Sequence, residues 1–154
     1  MQALAPKFLR TFARVSETLA NVLKNLGARA CMVVHSEDGL DELSASDVSW
    51  VCEYRDGSVR TYSVCPEDCG VGKISLEDIL VNSAEDSAAV VKDVIEGKDI
   101  PAKEVVLLNA GAAIYIYGMS PSIREGVEIA QSSIKKGNAK RTLEQLIELS
   151  NQAQ

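Results

Sequence analysis

The sequence predicts an α/β fold, a helix-rich domain with a small sheet and a β-hairpin. Three observations lead there. Apolar residues recur at helical spacing before Gly27, an apolar run of strand length follows, and Asp56-Gly57 separates two further strand-like segments. The chain has 154 residues, 46% of them hydrophobic and 25% charged, the balance of one folded globular domain rather than a disordered chain.

The first helix carries Phe8, Phe12, Val15, Leu19, Val22, Leu23 and Leu26 on one stripe, a spacing that fits a core helix. Gly27 stops it, because glycine enters the left-handed conformation at a helix end without a steric cost. Ala30-Cys31-Met32-Val33-Val34 shows no polar alternation and so predicts a strand covered on both faces, as in a parallel sheet. An acidic loop follows, from Ser36 to Glu42. Residues 47–54 and 58–64 form the hairpin, with Asp56-Gly57 supplying the positive φ angles of a tight turn. From Ser83 the chain turns helical. Ser83 caps, Glu85 and Asp86 suit the positive helix start, and Gly97 ends the segment. The run Val105 to Tyr117 exceeds strand length and predicts a helix buried nearly all round. Ser120-Pro121 opens another helix, with proline at its first position, and Gly137 closes it. Leu143, Leu146, Ile147 and Leu149 mark a last amphipathic helix.

Charge and hydropathy exclude several classes. The 16 Lys+Arg against 22 Asp+Glu leave a net charge of −6, which argues against a nucleic-acid partner. No apolar stretch approaches the roughly 20 residues that span a bilayer, so no membrane partner is expected. Lys7, Arg10, Arg14, Thr11 and Ser16 are compatible with an organelle transit helix, but Glu17 and the apolar spacing fit a core helix better. Cys31, Cys52, Cys65 and Cys69 are scattered through a chain without secretory features, so a reducing, cytoplasmic setting is expected.

The acidic loop is the most informative feature for chemistry. Glu37, Asp38, Asp41 and Glu42 place four carboxylates within six residues, beyond the end of a strand where α/β folds collect ligands. Two readings fit: a solvated acidic turn, or a seat for a hard cation such as Mg²⁺ that bridges one or two carboxylates to substrate phosphates. His35, the single histidine, ends the same strand and reads more naturally as structural than as an acid or base. Cys65 and Cys69 lack a second pair at matching spacing, which disfavours zinc and redox chemistry. Gly70-Val71-Gly72 reads as a bend rather than a phosphate loop. Asn109, inside an apolar run, must find partners if buried, either a substrate or a helix-to-loop hydrogen bond.

Taken together, four motifs resemble a known family. His35-Ser36-Glu37-Asp38-Gly39-Leu40-Asp41-Glu42 is followed by Pro66-Glu67-Asp68 with Gly70. Leu107-Leu108-Asn109-Ala110 then leads a small-residue run to Gly118, and Glu125-Gly126-Val127 comes last. Their order and spacing resemble the C-terminal half of anthranilate phosphoribosyltransferase, from about residue 8 to 149. The resemblance implies a Mg²⁺-dependent glycosyltransferase of tryptophan synthesis. Such enzymes move the phosphoribosyl group of phosphoribosyl pyrophosphate onto the amine of anthranilate and release pyrophosphate. It also implies a fold of the nucleoside phosphorylase/phosphoribosyltransferase type, a helical domain plus an α/β domain, usually in a homodimer. Residues 1–154 are then a partial α/β domain, and the family's adjacent Mg²⁺-binding acids correspond to Asp41 and Glu42. No residue is expected to act as acid, base or nucleophile.

The departures from the family shape the expectation equally. Its Gly-Thr-Gly-Gly-Asp phosphate loop, its Lys-His-Gly-Asn stretch and its anthranilate-binding arginine have no counterpart here, since all belong to the N-terminal half. Val81-Asn82 and Asp86-Ser87-Ala88 replace the family's Gly-Gly stretch and Glu-Asn-Ala. Inactivity in isolation is therefore expected, with an N-terminal-half partner chain or a homo-oligomer completing the enzyme, and with an exposed sheet edge and apolar face. The alternatives are a non-catalytic interaction or regulatory fragment of the same origin and, less attractively, a related nucleoside phosphorylase.

Overall fold

The structure is a computed structural model that describes residues 5–152, with side chains from Val15 onward. The side chains of Phe8 and Phe12, and the basic residues behind the transit reading, lie outside the described set. Helix α1 (Ala5–Asn25) leads into strand β1 (Cys31–Ser36), the acidic loop, and the hairpin β2 (Ser49–Arg55) and β3 (Ser58–Val64). Four helices follow: α2 (Ala84–Ile95), α3 (Pro101–Tyr117), α4 (Ile123–Lys135) and α5 (Asn138–Gln152). The expected order of helix, strand, acidic loop, hairpin and four helices is present, and the chain is a helix-rich α/β domain.

The sheet corrects one expectation. It is antiparallel, in the order β1-β2-β3, with Cys31 opposite Tyr54 and Ser36 opposite Ser49. Parallel pairing needs a crossover long enough to return the chain to the same end, usually a helix. The segment between β1 and β2 contains none, so the chain folds straight back. The strand covered on both faces is β2, where Val51, Cys52 and Glu53 are all fully buried, whereas residues 31–35 of β1 are only half-buried. Asp56 and Gly57 adopt φ of 50° and 81°, which sets the hairpin register that pairs Glu53 with Arg60.

Helix α1 lies against the sheet through its small side. Ser16 and Ala20 are buried, and the Cys31 thiol reaches the Ala20 carbonyl. Val15, Leu19, Val22, Leu23 and Leu26 are 39–79% exposed. The described part of the stripe that spacing assigns to a core therefore faces outward: small residues allow close contact with the sheet, and the large ones are left on the far side. Helix α5 repeats the pattern, with Leu146, Ile147 and Leu149 exposed.

On the other face of β2, α3 and α4 build the core with Val51, Leu107, Leu108, Ala112 and Val127. The two helices cross glycine on glycine. A Cβ on Gly111 would stand 2.6 Å from the Val127 backbone nitrogen, and one on Gly126 would collide with the Gly111 carbonyl. Helix α3 is not buried all round, since Val106 and Tyr117 are 45% and 82% exposed. The start of α4 also differs from expectation. Ser122, not Ser120, is its cap and accepts from the Glu125 amide at 3.2 Å, so Pro121 precedes the helix. Ser83 caps α2 as expected, through the Asp86 amide.

Because the Gly126 clash is with backbone, relaxation must separate the helices. Gly126→Ala is expected to lower unfolding stability by roughly 1–3 kcal/mol, the usual scale of overpacking. A denaturant midpoint equal to that of the parent would show that the crossing tolerates a methyl group.

Candidate metal-binding loop

The loop between β1 and β2 separates its four carboxylates into two kinds. Glu37 accepts the Trp50 indole N–H at 2.6 Å. Asp38 turns inward, where Oδ1 accepts from the Ser36 hydroxyl and the Leu40 amide, and Oδ2 from the hydroxyls of Ser44 and Ser46. Ser36 and Ser44 are themselves buried. Burial alone would raise the Asp38 pKa. The three hydroxyls and the amide more than offset it and bring it from 3.8 to about 2. Asp38 is thus a structural anion that gathers the loop around itself.

Asp41 and Glu42 remain. Among the described residues neither has a hydrogen-bond or ion-pair partner. Asp41 is exposed and Glu42 half-buried. Burial pushes the Glu42 carboxyl pKa up, and the charges of Asp41 and Asp38 push it further. Two carboxylates adjacent in sequence, without a partner among the described residues and with Glu42 raised by burial and by its neighbours' charge, could hold a divalent cation. Among the described residues no group of three His, Cys, Asp or Glu side chains converges as a complete cage. Mg²⁺ keeps several waters and takes one or two carboxylates plus substrate phosphates, so Asp41 and Glu42 could hold it.

The loop is pinned from three directions. The Glu37 amide donates to the Val48 carbonyl at 2.9 Å, and the Ser44 amide donates to Ser49 Oγ at 2.9 Å. The Ile74 amide donates to the Ala45 carbonyl at 3.0 Å. From helix α3, Asn109 meets the residue next to Glu42: its Oδ1 accepts the Leu43 amide at 3.0 Å and its Nδ2 donates to the Leu43 carbonyl at 2.8 Å. Of the two roles open to Asn109, the structure shows the helix-to-loop bond.

The other sequence candidates stay outside this cluster. His35 pairs with Trp50 across the sheet. Cys65 and Cys69 flank a short 3₁₀ turn, and burial pushes the Cys69 thiol up to about 11, away from thiolate chemistry.

A second polar cluster escaped the sequence reading. Fully buried Glu53 receives Arg60 at 3.1 Å, the Tyr62 hydroxyl at 2.6 Å and the Tyr115 hydroxyl at 3.0 Å. Burial, reinforced by the bond to Glu53, drives the Tyr62 phenol well above its ordinary range. Arg60, Tyr62 and Tyr115 open onto a cleft of about 430 Å³ that also meets Arg124. The signal for it was the two-residue turn, whose register puts acidic Glu53 directly across from basic Arg60. Its polar groups satisfy one another, which makes it a brace between hairpin and α3.

Residues 11–140 match the family model described as glycosyl transferase family, a/b domain. The chain belongs to that family. It is 44% identical over 140 residues to the anthranilate phosphoribosyltransferase of Nitrosomonas europaea, covering 91% of this chain and 41% of that protein. It is 40% identical over 133 residues to that of Methanobrevibacter smithii, covering 86% of this chain and 40% of the relative. The crystal structure of anthranilate phosphoribosyltransferase from Thermus thermophilus superposes with a TM-score of 0.73 at 35% identity, over 82% of this chain and 37% of that one. The Saccharomyces cerevisiae enzyme in complex with PRPP and Mg shares the fold, with a TM-score of 0.66 at 24% identity over 73% of this chain and 33% of that one. The chain thus spans about two-fifths of the length of the curated relatives it matches.

The Asp38 hub gives a pH test. Its folded pKa lies below the ordinary 3.8, so its contribution is complete above about pH 4 and is lost as pH falls toward 2. Trp50, the single tryptophan, reports on the loop through its bond to Glu37. Asp38→Ala is expected to cost roughly 1–3 kcal/mol by orphaning buried hydroxyls, and to remove the acid-dependent part of the Trp50 fluorescence transition. An unchanged acid transition in that variant would place the titrating group elsewhere.

Proposed function

We propose that this chain supplies the metal-binding part of an anthranilate phosphoribosyltransferase, an enzyme of tryptophan synthesis. The reaction transfers phosphoribosyl from phosphoribosyl pyrophosphate to the anthranilate amine. One observation carries the reading: of four loop carboxylates, the fold consumes Glu37 and Asp38 and leaves Asp41 and Glu42, adjacent in sequence, without a partner among the described residues. The names of the relatives support the substrates, and the PRPP and Mg bound to the yeast enzyme support the donor and the ion.

In this reading Asp41 and Glu42 hold Mg²⁺ on the pyrophosphate of the donor. The ion, when bound, supplies neutralising charge for the departing pyrophosphate. The contribution of the chain itself is orientation, since the loop fixes the two carboxylates in advance and no reorganisation is needed as charge develops. The backbone that cradles the rest of the donor, and the groups that meet anthranilate, belong to the remainder of the family's length. An N-terminal-half partner chain or a homo-oligomer would supply that remainder. Residues 1–154 are accordingly the C-terminal part of the α/β domain, inactive alone. The four free cysteines suit a cytoplasmic setting. The exposed α1 stripe fits both this reading and that of a non-catalytic interaction fragment, and the two separate by experiment.

The test is pyrophosphate release from phosphoribosyl pyrophosphate and anthranilate by the complete assembly. Asp41→Asn with Glu42→Gln is expected to lower the rate by about 10²–10³-fold, the scale of losing one preorganised electrostatic group. This chain alone is expected to show no turnover. Undiminished release by the double variant would favour the interaction role.

A further inference from the structure

The structure assigns Asn109 as a positioning residue for the carboxylates of the cation loop, an inference that rests on the reading of Asp41 and Glu42 given above. Asn109 lies on α3, far along the chain from the loop, in the apolar run from Val105 to Tyr117. Asparagine is a poorer helix former than the leucine or alanine around it, and a half-buried amide is unfavourable unless bonded. The helix does not need it: Leu107, Leu108 and Ala112 bury their side chains, and the Gly111–Gly126 crossing docks α3 on α4.

What Asn109 does is bond both backbone groups of one loop residue. Its amide meets the Leu43 N–H at 3.0 Å and the Leu43 carbonyl at 2.8 Å, while a third bond to the Val105 carbonyl at 3.0 Å fixes the side chain to its own helix. The Leu43 N–H shares a planar peptide unit with the Glu42 carbonyl, so holding one sets the orientation of the other. The Leu43 side chain, 1% exposed, closes the unit from the core. Glu42 therefore leaves a backbone held at its C-terminal side, directly after Asp41 in the chain. Asp38 braces the preceding turn through Ser36 and Leu40, so the two acids sit between two fixed points.

The experiment measures Mn²⁺ affinity by electron paramagnetic resonance in the complete assembly with phosphoribosyl pyrophosphate, alongside steady-state kinetics. The variants are Asn109→Ala, Asn109→Ser, Leu107→Ala and the double variant Asp41→Asn with Glu42→Gln. Serine at 109 can still bond the Val105 carbonyl within the helix and so keeps α3 intact if alanine does not. Leu107→Ala loosens the same helix while leaving both Asn109–Leu43 hydrogen bonds in place. The expected result is a 10–100-fold loss of Mn²⁺ affinity in the Asn109 variants, the scale for removing groups that orient ligands. The half-saturating Mg²⁺ concentration rises correspondingly, the Leu43 amide exchanges faster, and Leu107→Ala keeps the parent's affinity. Parent-like Mn²⁺ affinity in the Asn109 variants, with affinity lost in the double variant, would overturn the role of Asn109 and leave the metal reading standing. Equal losses in Leu107→Ala and the Asn109 variants would reduce the effect to helix stability and likewise overturn it. Parent-like affinity in the double variant would remove the metal reading itself.

Discussion

A half-buried carboxylate surrounded by hydroxyls governs the functional end of this molecule. Asp38 accepts from three serines and a backbone amide, so it turns into the protein and the chain after it must run outward. Without that inward turn the loop would be a row of mutually repelling carboxylates, free to spread apart in water. With it, two acids are spent on structure and two, exposed Asp41 and half-buried Glu42, are left without a partner among the described residues. The electrostatic strain shows in the Glu42 carboxyl, raised by burial and by its neighbours. A bound cation would offset that repulsion.

The rest of the fold gives that loop a fixed frame. Strand β2 is covered on both faces, by α1 through Ser16 and Ala20 and by α3 through the core around Val51. Helix α3 is held in turn by its glycine crossing with α4 and by the Glu53 cluster, where an acid, an arginine and two tyrosines join hairpin to helix. A helix anchored in this way can transmit rigidity to a loop through one side chain. The outward faces of α1 and α5 remain apolar and exposed.

Most of the fold was legible in the sequence because its signals are local. Gly27, Asp56-Gly57, Ser83 and Gly137 act within a few residues, and each terminates or caps an element as its chemistry requires. The failures are of another kind. An apolar run such as Cys31–Val34 records hydrophobicity but not which neighbour pairs with it, so the direction of pairing is not written in it. Periodicity on α1 identifies a stripe but not whether this chain covers it. At the site, the order of the motifs pointed to Asp41 and Glu42, yet residue type alone could not separate them from Glu37 and Asp38. That separation depends on Trp50, Ser44 and Ser46, which meet the loop only after it folds. The Glu53–Arg60 pairing could have been counted from the turn, whereas its tyrosine from α3 could not.

The most direct measurement is anomalous diffraction from crystals of the complete assembly grown with Mn²⁺ and phosphoribosyl pyrophosphate. The account predicts a manganese peak coordinated by the carboxylates of Asp41 and Glu42. The loop backbone should keep its conformation and Asp38 should still face its serines. A manganese ion bound to the donor without either carboxylate, or a loop that unwinds from Asp38 to reach it, would contradict the account.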